Sequence, residues 1–217
     1  MNLPGEVRVV NHVPPAFAEL VTSVAPRSIA LSGGDTAREC YELLATAANV
    51  DWSQVAVFFG DDRWVPVHDP ESNEGMARVT FLDEVEPAVI HSMRNAGPTI
   101  DEAADAYDAL VGGAPPIELV HLGLGPDGHT ASIFPGSSTV DETERFVVTA
   151  GDALHPHARL TFTFPAIARS RLAVVTVAGA DKREALERVS TGEDLPATRL
   201  QAGELIWLLD RAAAGRG

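Results

Sequence analysis

Short, largely apolar runs recur along this chain, and between them apolar positions return every three or four residues. Residues 28–31, 55–59, 117–122, 172–177 and 205–209 are such runs. A strand covered on one face alternates apolar with polar, whereas a strand covered on both does not. The runs therefore predict buried strands, and residues 6–10, 145–149 and 159–164 read as further strands. Helical spacing appears over 14–24, from Asp35 or Thr36 to about Ala48, and over 73–83, 100–111 and 181–189. Buried strands separated by helices predict a Rossmann-like α/β fold, with a mostly parallel sheet and helices on both faces. A small antiparallel addition is expected around 145–164. Residues 112–116 read as a turn and 212–217 as a frayed tail. With no repeat, low-complexity tract or linker, the whole of 1–217 reads as one domain.

Charge narrows the partners. The chain holds 31 acidic residues against 16 basic ones, a formal charge of −15. Nucleic acid and anionic membrane both need a basic face, so neither is expected as a partner. A small anionic substrate needs only a local cationic pocket and remains open. The single cysteine, Cys40, allows no internal disulfide and fits a reducing, cytoplasmic setting. No charged-then-apolar leader and no apolar run near ~18 residues is present, so neither export nor a membrane span is expected. Fifteen of the bases are arginine, and Lys182 is the only lysine. It either marks a site that needs a compact ammonium or survives on a solvated helix.

Candidate chemistry sits in polar loops at strand ends, where α/β proteins place ligands. The first is Ser32-Gly33-Gly34-Asp35-Thr36. Exposed N–H groups and a helix N-terminus can hold an anion there, though the same pattern serves as an ordinary tight turn. Asp35 would repel a phosphate unless it turned away. The second is Asp61-Asp62-Arg63-Trp64-Val65-Pro66, with Ser72-Asn73 downstream; its acids and arginine can orient water, a hydroxyl or an anion. The third runs from Gly123 to Gly136 and sets Asp127, His129, Thr130 and Ser132 among four glycines and two prolines. His129, ordinarily near pKa ~6.5, can take a proton from water. Histidines 12, 68, 91 and 121 carry no such context. His155-Pro156-His157 lacks a completing Cys or carboxylate, so no metal site is expected. The fourth combines Arg159 at a strand start with Gly179 to Lys182 at a helix start.

In this order the four segments resemble the glucosamine-6-phosphate isomerase/6-phosphogluconolactonase family, over about residues 29–210. The most specific match is Gly125-Pro-Asp-Gly-His-Thr-Ala-Ser-Ile-Phe-Pro-Gly136. Asp62 stands where the family has glutamate, and Ala37 where it often has proline. The resemblance implies a fold like that of glucosamine-6-phosphate deaminase, ribose-5-phosphate isomerase and CoA-transferases. It implies hydrolysis of 6-phospho-D-glucono-1,5-lactone to 6-phospho-D-gluconate, in the oxidative branch of the pentose phosphate pathway, with no cofactor and no metal. By motif position, His129 would be the general base, its ring held by Asp127 or by a backbone carbonyl. Asp61 and Arg63 would join the catalytic group. Ser32, Gly33, Gly34, Thr36, Arg159 and Lys182 would bind the phosphate. The chain would work as a monomer or small homo-oligomer. Two other readings stand beside this one. A deaminase-like isomerase needs an acid soon after the histidine, and none follows His129 until Asp141. A non-catalytic sugar-phosphate sensor would bind without turnover.

Overall fold

The computed structural model describes residues 1–46, 50–151 and 156–215. In chain order it contains β1 (Glu6–Val10), α1 (Val13–Val24), β2 (Ser28–Leu31), α2 (Asp35–Ala45), β3 (Ala56–Phe59), β4 (Asp61–Arg63) and α3 (Asn73–Ala77). Next come α4 (Asp83–Val85), β5 (Val89–Ile90), α5 (Ile100–Gly113), β6 (Leu119–Gly123), β7 (Val147–Ala150), β8 (Arg159–Phe162) and α6 (Phe164–Arg169). β9 (Leu172–Val177), α7 (Arg183–Ser190) and β10 (Glu204–Asp210) complete the chain.

Seven strands form one parallel sheet in the order β1-β10-β9-β6-β2-β3-β5. All of β9 is buried, which requires cover on both faces and explains its unbroken apolar run. α1 buries Val13, Phe17 and Val21, one residue per turn, and packs beside α2 and against β9 and β10. From β2 the chain steps outward through β3 to β5, then returns to the other side of β2 as β6 and steps outward through β9 to β10. Connections leave in opposite directions from β2 and β6, so a crevice opens past their carboxyl ends.

The expected antiparallel addition is a three-stranded sheet, β4-β8-β7. Its third member was read as loop: Asp61, Asp62 and Arg63 pair with Thr161, Leu160 and Arg159. The segment is too short and polar to show a strand period, and its partner lies about a hundred residues on. The expected 159–164 strand ends at Phe162, because the Thr163 hydroxyl accepts the Ala166 N–H and caps α6. The helix read over 73–83 runs to Val85, with a π-helical turn at Arg78–Leu82 between α3 and α4. That read over 181–189 begins as a tight 3₁₀ turn, Ala180–Lys182, before α7. The expected end of the second helix near Ala48, like His155, lies outside the described residues. Of the tail from 212, Ala213 is buried and its N–H bonds to the Asp210 carboxylate at 2.6 Å.

Candidate active site

The crevice between β2 and β6 is a trough of two adjoining chambers, of about 330 and about 220 Å³. Both are lined by Ser32, Gly33, Gly34, Gly123, Leu124 and Lys182. The larger also takes in Thr36 and Asp181, and the smaller Asp61, Arg63, Asn73, His129, Ala131 and Arg159. Segments far apart in sequence thus meet at the topological switch point.

In the larger chamber, two helix starts converge. α2 begins at Asp35, and its N-cap Gly34 offers no side chain to the first-turn amides. Those N–H groups and the helix dipole favour an anion. The Asp35 carboxylate turns outward, 91% exposed, to an ion pair with Arg38 at 3.1 Å. Asp35 still stands at the rim of the chamber, with its charge met by Arg38. Opposite, the Ala180–Lys182 turn brings up the lone lysine; its cap, Gly179, likewise has no side chain.

The smaller chamber holds the imidazole. His129 Nδ1 lies 2.5 Å from Asp127 Oδ1, and the His129 N–H donates to the same oxygen at 3.1 Å. With Nδ1–H donating to the carboxylate, the ring is in the tautomer that carries its lone pair on Nε2. Burial pushes the Asp127 carboxyl up, but the His129 charge and hydrogen bonds outweigh it and hold it below its ordinary value. The ring lies almost on the backbone: a Cβ at Gly125 would stand 2.1 Å from it, so only glycine fits there. Phe134 closes the other side, with ring centroids 4.8 Å apart.

A buried polar network backs the smaller chamber. Asp61 Oδ2 accepts the Ser132 hydroxyl at 2.5 Å, and Oδ1 accepts Asn73 Nδ2 at 3.3 Å. Asn73 also donates to the Asp61 carbonyl, at 2.9 Å. Asp61 therefore ties the His129 loop to the start of α3. Reaching Asp61 asks a strained backbone of the loop, since Ala131 has φ +48, a region costing of order 1–2 kcal/mol outside glycine. Asp62, the shorter acid, accepts four donors: the N–H groups of Arg63, Asn73 and Glu74, and the Ser72 hydroxyl. Burial pushes its carboxyl up to about 6 against the lowering effect of those N–H groups. Arg63 and Arg159 are cross-strand partners, which sets two guanidinium groups on one wall. Arg63 is braced by the Glu71 carbonyl at 2.6 Å, and the Arg159 guanidinium lies 5.5 Å over the Phe134 ring.

Of the residues singled out from sequence, Ser32, Gly33, Gly34, Thr36, Asp61, Arg63, His129, Arg159 and Lys182 line the trough. Asp127 stands behind the imidazole. Arg159, grouped with the phosphate ligands, lines the chamber of His129 and not that of Thr36. Asn73 and Ser132 lie in the second and third motif segments, which by themselves assign them no role. Tyr41 and Thr176 carry no signal of their own in the sequence, and His121 was set aside for want of a polar loop around it. A histidine inside a buried strand was the available signal, because a buried polar ring must find partners. Among the described residues no group of three or more His, Cys, Asp or Glu is spaced to hold a metal, and no helix is long and apolar enough to cross a membrane.

Comparison with known proteins gives a consistent picture. Residues 7–207 match the model of the family described as glucosamine-6-phosphate isomerases/6-phosphogluconolactonase. A 6-phosphogluconolactonase of Synechocystis is 41% identical over 201 residues, covering 86% of this chain and 82% of its own. The solved 6-phosphogluconolactonase from Trypanosoma cruzi superposes with a TM-score of 0.81 at 26% identity, covering 99% of this chain and 97% of that one. A monomeric glucosamine-6-phosphate deaminase has the same fold, with a TM-score of 0.83 at 19% identity over 98% of this chain and all of its own.

Proposed function

The chain belongs to the glucosamine-6-phosphate isomerase/6-phosphogluconolactonase family, and from that premise we propose that it hydrolyses 6-phospho-D-glucono-1,5-lactone to 6-phospho-D-gluconate. It thereby serves the oxidative branch of the pentose phosphate pathway. One observation carries the reading: an imidazole held by a carboxylate at 2.5 Å shares a single trough with a helix N-terminus and the only lysine. A base alone would suit many reactions, and an anion site alone would suit a sensor. Their union suits a phosphorylated substrate attacked at its far end.

The scheme follows from the groups present. The phosphate rests on the amides from Gly33 to Thr36, with Lys182 as counter-charge. Bound there, the lactone carbonyl lies toward His129, and the remote phosphate contributes orientation to the reacting carbon. His129 Nε2 takes a proton from water as its oxygen attacks C1. Asp127 holds the ring and stabilises the imidazolium. Negative charge grows on the carbonyl oxygen, where Arg63 and Arg159 stabilise it. Collapse of the tetrahedral intermediate breaks the bond from C1 to the ring oxygen. His129 returns its proton to that oxygen, which leaves as the C5 hydroxyl. Asp61 has both oxygens engaged by Ser132 and Asn73, so it orients loops and does not exchange protons. The loop after His129 also lacks the acid a deaminase needs, which favours ester hydrolysis.

Every group in the scheme comes from one chain, so a monomer or a small homo-oligomer can act. The one cysteine is buried, and burial pushes its thiol up to about 12; this inert thiol suits the cytoplasm. The test is release of 6-phosphogluconate above the spontaneous rate, followed with a coupled dehydrogenase. Binding of the sugar phosphate without faster lactone opening would mark a sensor and overturn the proposal.

A further inference from the structure

At the floor of the anion chamber, which His121 and Thr176 line and Tyr41 does not reach, runs a buried polar chain that the reaction scheme leaves unused. The Tyr41 hydroxyl oxygen accepts the Ser32 N–H at 2.8 Å and lies 2.8 Å from His121 Nδ1. His121 Nε2 lies 2.8 Å from Thr176 Oγ1, which lies 3.5 Å from the Leu122 carbonyl. Tyr41 and His121 are wholly buried, and Thr176 nearly so. Phe17 stacks on the imidazole at 4.1 Å and fixes its plane. α2, β6 and β9 each supply one member, and the chain ends on the residue that follows β2. It therefore spans the switch point and joins the strands whose ends frame the trough.

The Tyr41 O–H has two acceptors within reach, the Ser32 carbonyl at 3.2 Å and His121 Nδ1 at 2.8 Å, so Tyr41 can grip Ser32 through both its N–H and its carbonyl. With the O–H given to the nearer His121 Nδ1, every member of the chain has a partner. The His121 Nε2–H donates to Thr176, and the Thr176 O–H to the Leu122 carbonyl. A neutral imidazole suits this order, and complete burial keeps it neutral. Apolar side chains could fill the same volume without the cost of desolvating three polar groups. What the polar chain adds is a fixed end point at Ser32, from which Gly33 and Gly34 project. Asn73 lies so close to Gly33 that a Cβ there would come within 1.9 Å of its Oδ1. The anion loop is thus gripped from below by Tyr41 and from the side by Asn73.

We propose that Tyr41, backed by His121 and Thr176, is the positioning residue of the phosphate-binding loop, holding Ser32 so that the amides from Gly33 to Thr36 stand ready for a phosphate dianion. The proposal rests on the lactonase reading. Tyr41 touches no substrate; it acts on affinity for the phosphorylated end and not on proton transfer at His129.

The test compares wild type with Tyr41→Phe on two substrates, the 6-phosphorylated lactone and unphosphorylated glucono-1,5-lactone, with inorganic phosphate as inhibitor. Leaving the Ser32 N–H and the His121 Nδ1 lone pair without their partner predicts a KM for the phosphorylated lactone higher by at least about 5-fold. The phosphate inhibition constant rises in parallel, while kcat and the kcat/KM of the unphosphorylated lactone stay within about 2-fold. Thr176→Val gives a smaller change of the same pattern, and Thr176→Ser restores wild-type behaviour. This second pair decides the matter if Tyr41→Phe folds poorly. Equal effects on both lactones, or an unchanged phosphate inhibition constant, overturn the proposal. A wild-type protein that leaves the phosphorylated lactone uncleaved overturns the lactonase reading instead. Phosphate affinity by calorimetry, wild type against Tyr41→Phe, then decides the support of the loop by itself.

Discussion

His129 takes its orientation from Asp127, two residues before it, whereas Ser32, across the same trough, takes its own from Tyr41, nine residues on. Tyr41 in turn leans on His121, 80 residues further along, and His121 on Thr176, 55 beyond that. The imidazole and its carboxylate are 24% and 42% exposed, while the supports of the anion loop are sealed in the core. The reacting group is thus built locally and at the surface, where a side chain can change with little effect on the fold. Support for the anion loop is built globally, where the same contacts hold sheet and helix together. Damage to the first should appear in kcat, and damage to the second in affinity and stability.

The sharpest way to break that contrast is His129→Ala. Loss of a general base predicts a fall in kcat of roughly 10²–10⁴-fold. Because the ring is partly exposed and its bonded partner adjacent, the thermal midpoint should move by no more than a few degrees. Steady-state kinetics and a thermal melt on one preparation check both halves. An unchanged kcat removes His129 from the chemistry, and a large drop in midpoint removes the local-versus-global distinction.

A second contrast lies in how the two regions titrate. In the anion half, burial pushes His121 down from 6.5 to about 3. Between those values the unfolded chain binds a proton that the fold refuses, so this group costs stability as pH falls. In the reaction half, burial pushes Asp62 up from 3.8 to about 6. Here the fold binds the proton more readily, so stability is lost as pH rises through that window. Each slope is about 1.4 kcal/mol per pH unit, and between pH 4 and 6 the two offset. His121→Gln removes one of them. Relative to wild type, that variant should gain about 2–3 kcal/mol as pH falls from 6 to 4. Asp62→Asn should shift by a similar amount with the opposite sign. Urea unfolding at pH 4, 5 and 6 measures both, and curves parallel to wild type would refute the assigned titrations.

The same division decides what could be read from sequence. β9 is buried throughout, β2, β6 and β10 are buried along their middles, and all four announce themselves as apolar runs. The His129 loop is legible because its glycines, its acid and its imidazole lie within a few residues of one another. β4 was illegible because its strand character comes from pairing with β8, not from its own polar residues. The pairing of Arg159 with Arg63, which moves Arg159 into the His129 chamber, was hidden for the same reason. Asp35 offered a conflict that only geometry resolves, by turning its carboxylate to Arg38. His121 was visible as an oddity, a polar ring in a buried strand, but its partners lie on two other elements that no local pattern connects to it.

Lys182 gives a smaller expected effect than the His129 and His121 variants and the finest discrimination, since it lines both chambers. A lysine entering a helix N-terminus is mildly unfavourable by itself, so its retention in a chain that otherwise uses arginine asks for a counter-ion. Its acidic neighbours in the larger chamber are Asp181 and an Asp35 already paired with Arg38. An incoming phosphate dianion is the better partner. Losing one charge-assisted contact predicts about a tenfold higher KM for the phosphorylated lactone in Lys182→Met, and no change for the unphosphorylated one. Lys182→Arg should recover only part of that loss, because a planar guanidinium cannot occupy the place of a compact ammonium. If both lactones suffer equally, Lys182 belongs with Arg63 and Arg159 at the carbonyl end. The anion chamber would then rest on backbone amides alone, and the contrast between its two neighbouring chambers would sharpen into one between backbone and side-chain recognition.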